Sequence, residues 1–217
     1  MSTLYIVATP IGNLHDVTLR AIDVLKNVDL ILCEDTRVTK KLLDHYQIKT
    51  PALSYHQHSK LQKIDYIIGL LGEGKNLALV ADAGTPGISD PGGKLIARAI
   101  EFTKVKPWQI EIVPIPGPSA LTAVASISGF PIDKFVFMGF PPAKKRRKKF
   151  FEEMLNLKYP VIFYESPYRI LKTLKELNMS LIRDRGINDI ERKVVVCREL
   201  TKKFETIYRG EINGVIK

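Results

Sequence analysis

At 217 residues, 45% hydrophobic and 26% charged, the chain can fill one large α/β domain or two smaller ones without disulfide staples. Its net charge of +10, from 33 Lys and Arg against 23 Asp and Glu, favours a polyanionic partner over a neutral small molecule. The two cysteines, Cys33 and Cys197, form no CxxC and no Cys/His cluster, which argues against a disulfide framework or a zinc site and fits a reducing, cytosolic setting.

The N-terminal stretch "MSTLYIVATPIGN" lacks a basic leader, and Pro10 and Gly12 interrupt its short apolar run. It therefore reads as a strand, "LYIVAT" (4–9), and a turn. No stretch approaches the roughly 20 apolar residues of a membrane span. A helix follows with Leu19, Ile22 and Leu25 on one face. "VDLILC" (28–33) is a second strand, turned by "EDTR" into the helix "VTKKLLDHY". "NLALVADA" (76–83) is a buried strand, followed by the loop "ADAGTPGISDPGG" and the helix "KLIARAIEF". "IEIVPIPG" (110–117) is another strand, and Pro118 stands at a favoured first position of the helix "PSALTAVASI". Near-continuous apolar strands alternating with helices imply parallel βαβ units.

Later the pattern changes. "FVFMGF" (135–140) and "PVIFYES" (160–166) are strands, each followed by a helical stretch. "RKVVVCREL" (192–200) and "FETIYRGEI" (204–212) are joined only by "TKK", too short for a parallel crossover, so they form an antiparallel hairpin. The fold class is therefore α/β in two domains: an N-terminal one with a mostly parallel sheet (1–114) and a C-terminal one with a mixed sheet (115–217). A single continuous sheet is the alternative.

Ligands of open α/β sheets collect beyond the carboxyl ends of the strands. Seven strand ends here carry Gly, Pro, Ser/Thr or paired charges: "ATPIGN", "CEDTR", "ADAGTPGISDPGG", "IPGPSA", "GFPP", "YESPYR" and "CRELTK". The long glycine loop fits neither the phosphate-binding GxxxxGK[ST] nor the dinucleotide GxGxxG pattern. Its aspartates, Asp82 and Asp90, would repel phosphate. Such a loop suits a ligand with hydroxyls, an amine and positive charge, approached closely by backbone. Asp82, at the strand end, suits contact with that ligand, and Asp90 suits shaping the turn.

In order along the whole chain, "LYIVATPIGNLHDVTLRAIDVL", "LILCEDTR", "ADAGTPGISDPG", "PGPSA", "GFPPAKK", "FYESPYRI" and "CRELTKKFETIYRG" are similar to the ribosomal RNA small subunit methyltransferase I family. That family is a branch of the tetrapyrrole methylase superfamily, the class III methyltransferases. The resemblance implies two α/β domains with S-adenosylmethionine in the cleft between them and a homodimer. No metal is expected, because methyl transfer to oxygen needs alignment and deprotonation rather than a Lewis acid, and the cysteine usage already fits a cytoplasmic location. It implies methylation of a cytidine ribose 2′-hydroxyl in the decoding region of 16S rRNA. Carried onto this sequence, the cofactor contacts are Pro10, Asp82, Ala83, Gly84, Thr85, Ile88, Ser119 and Ala120, with Tyr164, Cys197, Arg198 and Glu199 as further contacts. Family chains continue past "YRGEI" with another core strand, so the resemblance also implies a shortened C-terminal domain here. A sulfonium beside carboxylates agrees with the charge of the glycine loop.

A ribose hydroxyl needs a base in place. The charged strand ends offer Glu34 and Asp35, Glu165 and Glu199, with Arg37, Arg169 and Arg198 nearby. Glu34 with Arg37 is the preferred acceptor-side pair. "SYHQHSK" (54–60) reads as a surface loop by default, or as a grip on the acceptor nucleotide with Tyr55 stacking a base. The run "KKRRKK", Lys144, Lys145, Arg146, Arg147, Lys148 and Lys149, reads as a phosphate contact for RNA, with Glu152 and Glu153 one turn on. Two rival functions are methylation of a carboxylate-rich tetrapyrrole and a nonenzymatic role in RNA binding or assembly.

Overall fold

A computed structural model describes residues 1–56, 61–105, 110–185 and 193–216. The chain divides into two compact units, Met1–Ala120 and Leu121–Lys217. The division falls after "IPGPSA" rather than at 114/115, so that strand end belongs wholly to the first unit.

The first unit contains β1 (Ser2–Val7), α1 (Leu19–Asn27), β2 (Leu30–Cys33), α2 (Thr36–His45), β3 (Ala52–Ser54), α3 (Leu61–Gly72), β4 (Leu77–Val80), α4 (Gly92–Val105) and β5 (Ile110–Ile115). The strands form one parallel sheet in the order β3-β2-β4-β1-β5. From β1 to β2 to β3 the chain moves toward one edge, and from β3 to β4 to β5 it moves toward the other. Right-handed crossovers then require α1 and α2 on one face and α3 and α4 on the other.

The packing agrees. Leu4, Leu32, Leu77 and Leu79 share a core with Ile67 of α3 and Leu95 of α4. Their strand neighbours Val7, Ile31, Ala78 and Val80 share the opposite core with Leu25 of α1 and Leu42 of α2. The period of two along each strand thus loads both faces, which is why β4 reads as the uninterrupted apolar run Leu77–Val80. α1 starts where the Thr18 hydroxyl accepts the Ala21 N–H at 3.1 Å. α2 starts where the Asp35 carboxylate accepts the Arg37 N–H at 2.8 Å. The loops leaving β4 and its neighbours β1 and β2 run to opposite faces, so the carboxyl end of β4 opens into a crevice.

The second unit contains α5 (Ala120–Ile127, its first residue closing the first unit), β6 (Val136–Phe137), α6 (Arg147–Leu155), β7 (Val161–Ile162), α7 (Ile170–Arg185), β8 (Lys193–Arg198), β9 (Thr206–Glu211) and α8 (Ile212–Ile216). β6 and β7 are a short parallel pair, and β8 and β9 are the expected antiparallel hairpin. Among the described residues these are two separate ribbons, not the single mixed sheet expected. Their common core, Phe151, Met154, Leu155, Leu174, Leu177 and Ile212, comes mainly from α6 and α7. Helix-to-helix packing therefore supplies what a continuous ladder would have supplied. α5 begins at Ala120, so Pro118 lies ahead of the helix rather than at its first position.

Replacing Leu77, fully buried in β4, by Ala leaves a cavity between β4 and α3 and should cost about 2–5 kcal/mol. Urea unfolding followed by circular dichroism should show a lower midpoint.

Candidate active site

In the first unit, four strand ends are tied into one rim. Thr9, just beyond β1, and Gly84, in the glycine loop, exchange backbone hydrogen bonds at 3.0 Å in both directions. The Thr9 hydroxyl also donates to the Ala81 carbonyl at 3.0 Å. Gly84 holds φ at +83°, where a side chain would be strained. The Thr85 hydroxyl carries the connection on to the Pro118 carbonyl beyond β5, at 3.2 Å. Gly117 lets that segment approach β1, since a Cβ there would come within 3.1 Å of the Ala8 Cβ.

The β2 and β4 ends are tied by carboxylates. The Asp35 N–H donates to Asp82 Oδ1 at 3.0 Å, and the Asp82 N–H donates to Glu34 Oε1 at 3.4 Å. Asp90 organises the rest of the glycine loop, accepting from the Gly87 N–H at 2.8 Å and the Gly92 N–H at 2.7 Å. Its shaping role is thus visible. Asp82 also supports a turn through Asp35, in addition to lying exposed at the strand end.

Glu34 is half-buried, and its carboxyl is pushed above the ordinary range by burial and by the Asp82 and Asp90 carboxylates. The Asp82 N–H offsets this only in part. The preferred Glu34–Arg37 pair does not form. Arg37 pairs with Asp35 instead, Nη2 to Oδ2 at 2.6 Å, and this pair with the helix-start amide holds Asp35 down to about 2. The reason is local: Asp35 is the N-cap of α2, so its carboxylate already faces the Arg37 N–H. Glu34, at the end of β2, turns instead toward Asp82. Pro10, Thr85, Ser119 and Ala120 are half-buried, Ala83 and Ile88 are exposed, and Gly84 is buried. Tyr55 is 2% exposed and packs in the core beside α3, so it is not a platform for a base. Residues 57–60 of "SYHQHSK" lie outside the described residues.

In the second unit, Tyr164 donates its N–H to the Gly139 carbonyl at 2.8 Å, and its ring meets Phe137 edge-on. Burial pushes its phenol up. Cys197 sits in β8 opposite Ile207, and burial pushes its thiol up, away from thiolate chemistry. Arg198 ends the β8 ladder and is exposed. Glu199 follows with φ at 54° and pairs with Lys202 at 3.3 Å.

The basic run separates. Lys144, Lys145, Arg146, Lys148 and Lys149 are exposed, and Lys148 meets Glu152 at 3.5 Å. Arg147 is buried, so unlike the other five it presents no charge to a phosphate. It pairs with Glu176 at 2.6 Å and Glu165 at 3.6 Å and donates to the Pro142 carbonyl at 3.0 Å and to the Thr173 hydroxyl. Spacing could have revealed this. Arg147 lies one helical turn before Phe151 and two before Met154, on the buried face of α6. Glu165, with a side chain 2% exposed, pays for burial, but the Thr173 hydroxyl, the Ser166 N–H and Arg169 together hold its carboxyl below the ordinary range. Among the described residues no group of His, Cys, Asp and Glu could hold a metal ion, and no helix is long and apolar enough to cross a membrane.

The sequence pattern of the Tetrapyrrole (Corrin/Porphyrin) Methylases matches residues 3–215. Among solved structures, the methyltransferase CobJ superposes with a TM-score of 0.67 over 98% of this chain and 86% of its own, at 18% identity. The cobalt precorrin-4 methyltransferase CbiF does so with 0.64 over 99% and 91%, at 20% identity. At those identities the likeness is one of fold. The sheet, the rim of strand-end loops and the matched pattern define a methylase of the tetrapyrrole methylase class.

Within it, the chain belongs to the ribosomal RNA small subunit methyltransferase I family. The protein of that name from Synechocystis sp. is 46% identical over 217 residues, covering 100% of this chain and 73% of the relative. The one from Thermotoga maritima is 43% identical over 218 residues, covering 100% and 91%. The one from Bacillus subtilis is 45% identical over 217 residues, covering 100% and 70%.

Arg147→Met should leave Glu165 buried with fewer partners and cost about 3–5 kcal/mol at neutral pH. Because the folded Glu165 carboxyl lies below its unfolded value, its stabilisation is present above the ordinary carboxylate range and is lost as pH falls through the folded value. Thermal melts at pH 7 and pH 3 should therefore show a wider gap between wild type and variant at pH 7.

Proposed function

We propose that this chain transfers a methyl group from S-adenosylmethionine to the 2′-hydroxyl of a cytidine ribose in the decoding region of 16S rRNA, as a cytoplasmic homodimer. The observation that carries the reading is the Glu34–Asp82 pair at adjoining strand ends, beside a glycine loop that adds a further carboxylate, Asp90. Burial first, and then the Asp82 and Asp90 carboxylates, raise Glu34, and a cation brought near would offset the like-charge part. The strand ends therefore fit the sulfonium of such a group and disfavour a phosphate. The residues of the first unit that would hold it are Pro10, Asp82, Ala83, Gly84, Thr85, Ile88, Ser119 and Ala120. When bound, S-adenosylmethionine supplies an electrophilic methyl group. Membership in a family whose relatives are named for the small ribosomal subunit supports RNA as the acceptor.

Glu34 is the group that takes the ribose proton. A carboxyl raised by burial and like charge is a stronger base than an exposed one. Arg37, exposed on Asp35, remains within reach of a flanking phosphate. Lys144, Lys145, Arg146, Lys148 and Lys149 supply further backbone contacts.

The direct test is transfer of labelled methyl from S-adenosylmethionine to unmodified small subunits, followed by mapping of the labelled ribose. Label on a ribose of the decoding region is expected, and label on a porphyrinogen alone would overturn the reading.

Glu34→Gln should lower kcat by about 10²–10⁴-fold with cofactor affinity retained. It should also abolish the acid limb of the pH–rate profile, which in the wild type lies above the ordinary carboxylate range. Since the folded Glu34 pKa is raised, its contribution to stability is present below the ordinary value and is lost as pH rises through the folded one. The variant should therefore melt no lower than wild type at pH 7. Unchanged turnover would remove Glu34 from the reaction.

A further inference from the structure

The turn between β8 and β9 holds an aromatic ring out into solvent. The two strands pair from Lys193↔Glu211 to Arg198↔Thr206, leaving residues 199–205 as the connection. Two non-glycine residues there are left-handed, Glu199 with φ 54° and Thr201 with φ 66°, a conformation that costs L side chains energy. The turn is closed from within. The Lys202 N–H donates to the Glu199 carbonyl at 3.0 Å, the Glu205 N–H to the Lys202 carbonyl at 3.2 Å, and the Thr201 N–H to the Glu205 carboxylate at 2.6 Å. This frame leaves Phe204 76% exposed. The Lys203 ammonium lies 5.5 Å from the ring centroid, and Lys202, also exposed, rests on the Glu199 carboxylate at 3.3 Å, an exposed pair that a phosphate can displace.

A flat ring at the tip of a stiff turn, accompanied by two ammonium groups, matches the chemistry of an unpaired nucleotide: a base face to stack on and phosphates to neutralise. Paired RNA keeps its base faces covered, so it would use the lysines and not the ring. We propose that Phe204, with Lys202 and Lys203, forms a stacking contact for an unpaired nucleotide of the RNA substrate, outside the groups that react. The inference rests on the rRNA reading and adds the recognition of single-stranded RNA by a particular hairpin.

Fluorescence anisotropy with an unstructured oligoribonucleotide of roughly a dozen residues tests it directly. Phe204→Ala should weaken binding by about 5- to 100-fold, whereas Phe204→Tyr and binding of a duplex RNA should change little. Phe204→Leu should melt as wild type does and still lose affinity, separating stacking from folding. Changing Lys202 and Lys203 together to Gln should flatten the salt dependence by roughly 1.4 in log–log slope. With small subunits, Phe204→Ala should raise KM more than it lowers kcat.

Equal oligonucleotide binding by wild type and Phe204→Ala overturns the inference. So does a change in molecular mass of Phe204→Ala by light scattering, which would assign the ring to a contact between copies. A wild-type enzyme that transfers no methyl to small subunits refutes the rRNA reading instead, while anisotropy still judges the ring.

Discussion

Five parallel strands deliver their last backbone groups to a single edge, where no ladder continues. Buried amides and carbonyls there must find partners within the connecting loops. In the first unit they find them in each other: Thr9 with Gly84, Thr9 again with Ala81, Thr85 with Pro118, Asp82 with Asp35 and Glu34. The special residues of the sequence follow from that need. Gly84 takes a φ that would strain a side chain, Gly117 removes a side chain that would crowd Ala8, and short hydroxyl side chains reach carbonyls of other strand ends. The loops are thereby fixed before any ligand arrives, which is the state in which binding costs least ordering entropy.

Charge is handled in opposite ways in the two units. At the β2 and β4 ends, carboxylates are kept together without a partnering lysine or arginine at Glu34, and burial together with that like charge raises its carboxyl. Around α6 and α7, Arg147 is surrounded by Glu165, Glu176, Thr173 and the Pro142 carbonyl, and the tension is resolved by pairing. The first arrangement leaves something for a ligand to do, and the second leaves nothing. Arg147 also shows that a basic run counted from sequence overstates the charge an RNA would meet, because one of its six members is spent internally.

The elements that carry long apolar runs were legible beforehand. β2 and β4 are buried on both faces, which wrote itself as the continuous apolar runs LILC and LALV, and β1 and β5 still carry enough Leu, Ile and Val to be read as strands. β3 was not legible, because Ala52–Ser54 is an edge strand of three residues with little burial to impose a pattern. The hairpin followed from connection length, while the separation of the two ribbons depends on helix packing between residues far apart in sequence. At the site, the glycine loop and the role of Asp90 could be read from residue types. The partner of Arg37 could not, since adjacency in sequence does not say which carboxylate caps a helix. Tyr55 misled for a related reason: a tyrosine in a polar stretch looks exposed until the neighbouring α3 covers it.

The strand order has a consequence for how the chain is made. β1 is synthesised first, yet it sits between β4 and β5, with Leu4 beside Leu77 and Ile112. At ribosomal speeds its partners emerge on the order of several seconds later. During that interval an apolar strand with both edges open has no native neighbour to pair with. The newborn first unit must therefore cross a window in which collapse onto the wrong strand, or onto another chain, competes with waiting. Burying β1 inside the sheet secures the finished protein, but it leaves the unfinished chain dependent on fast elongation, low local concentration or a chaperone.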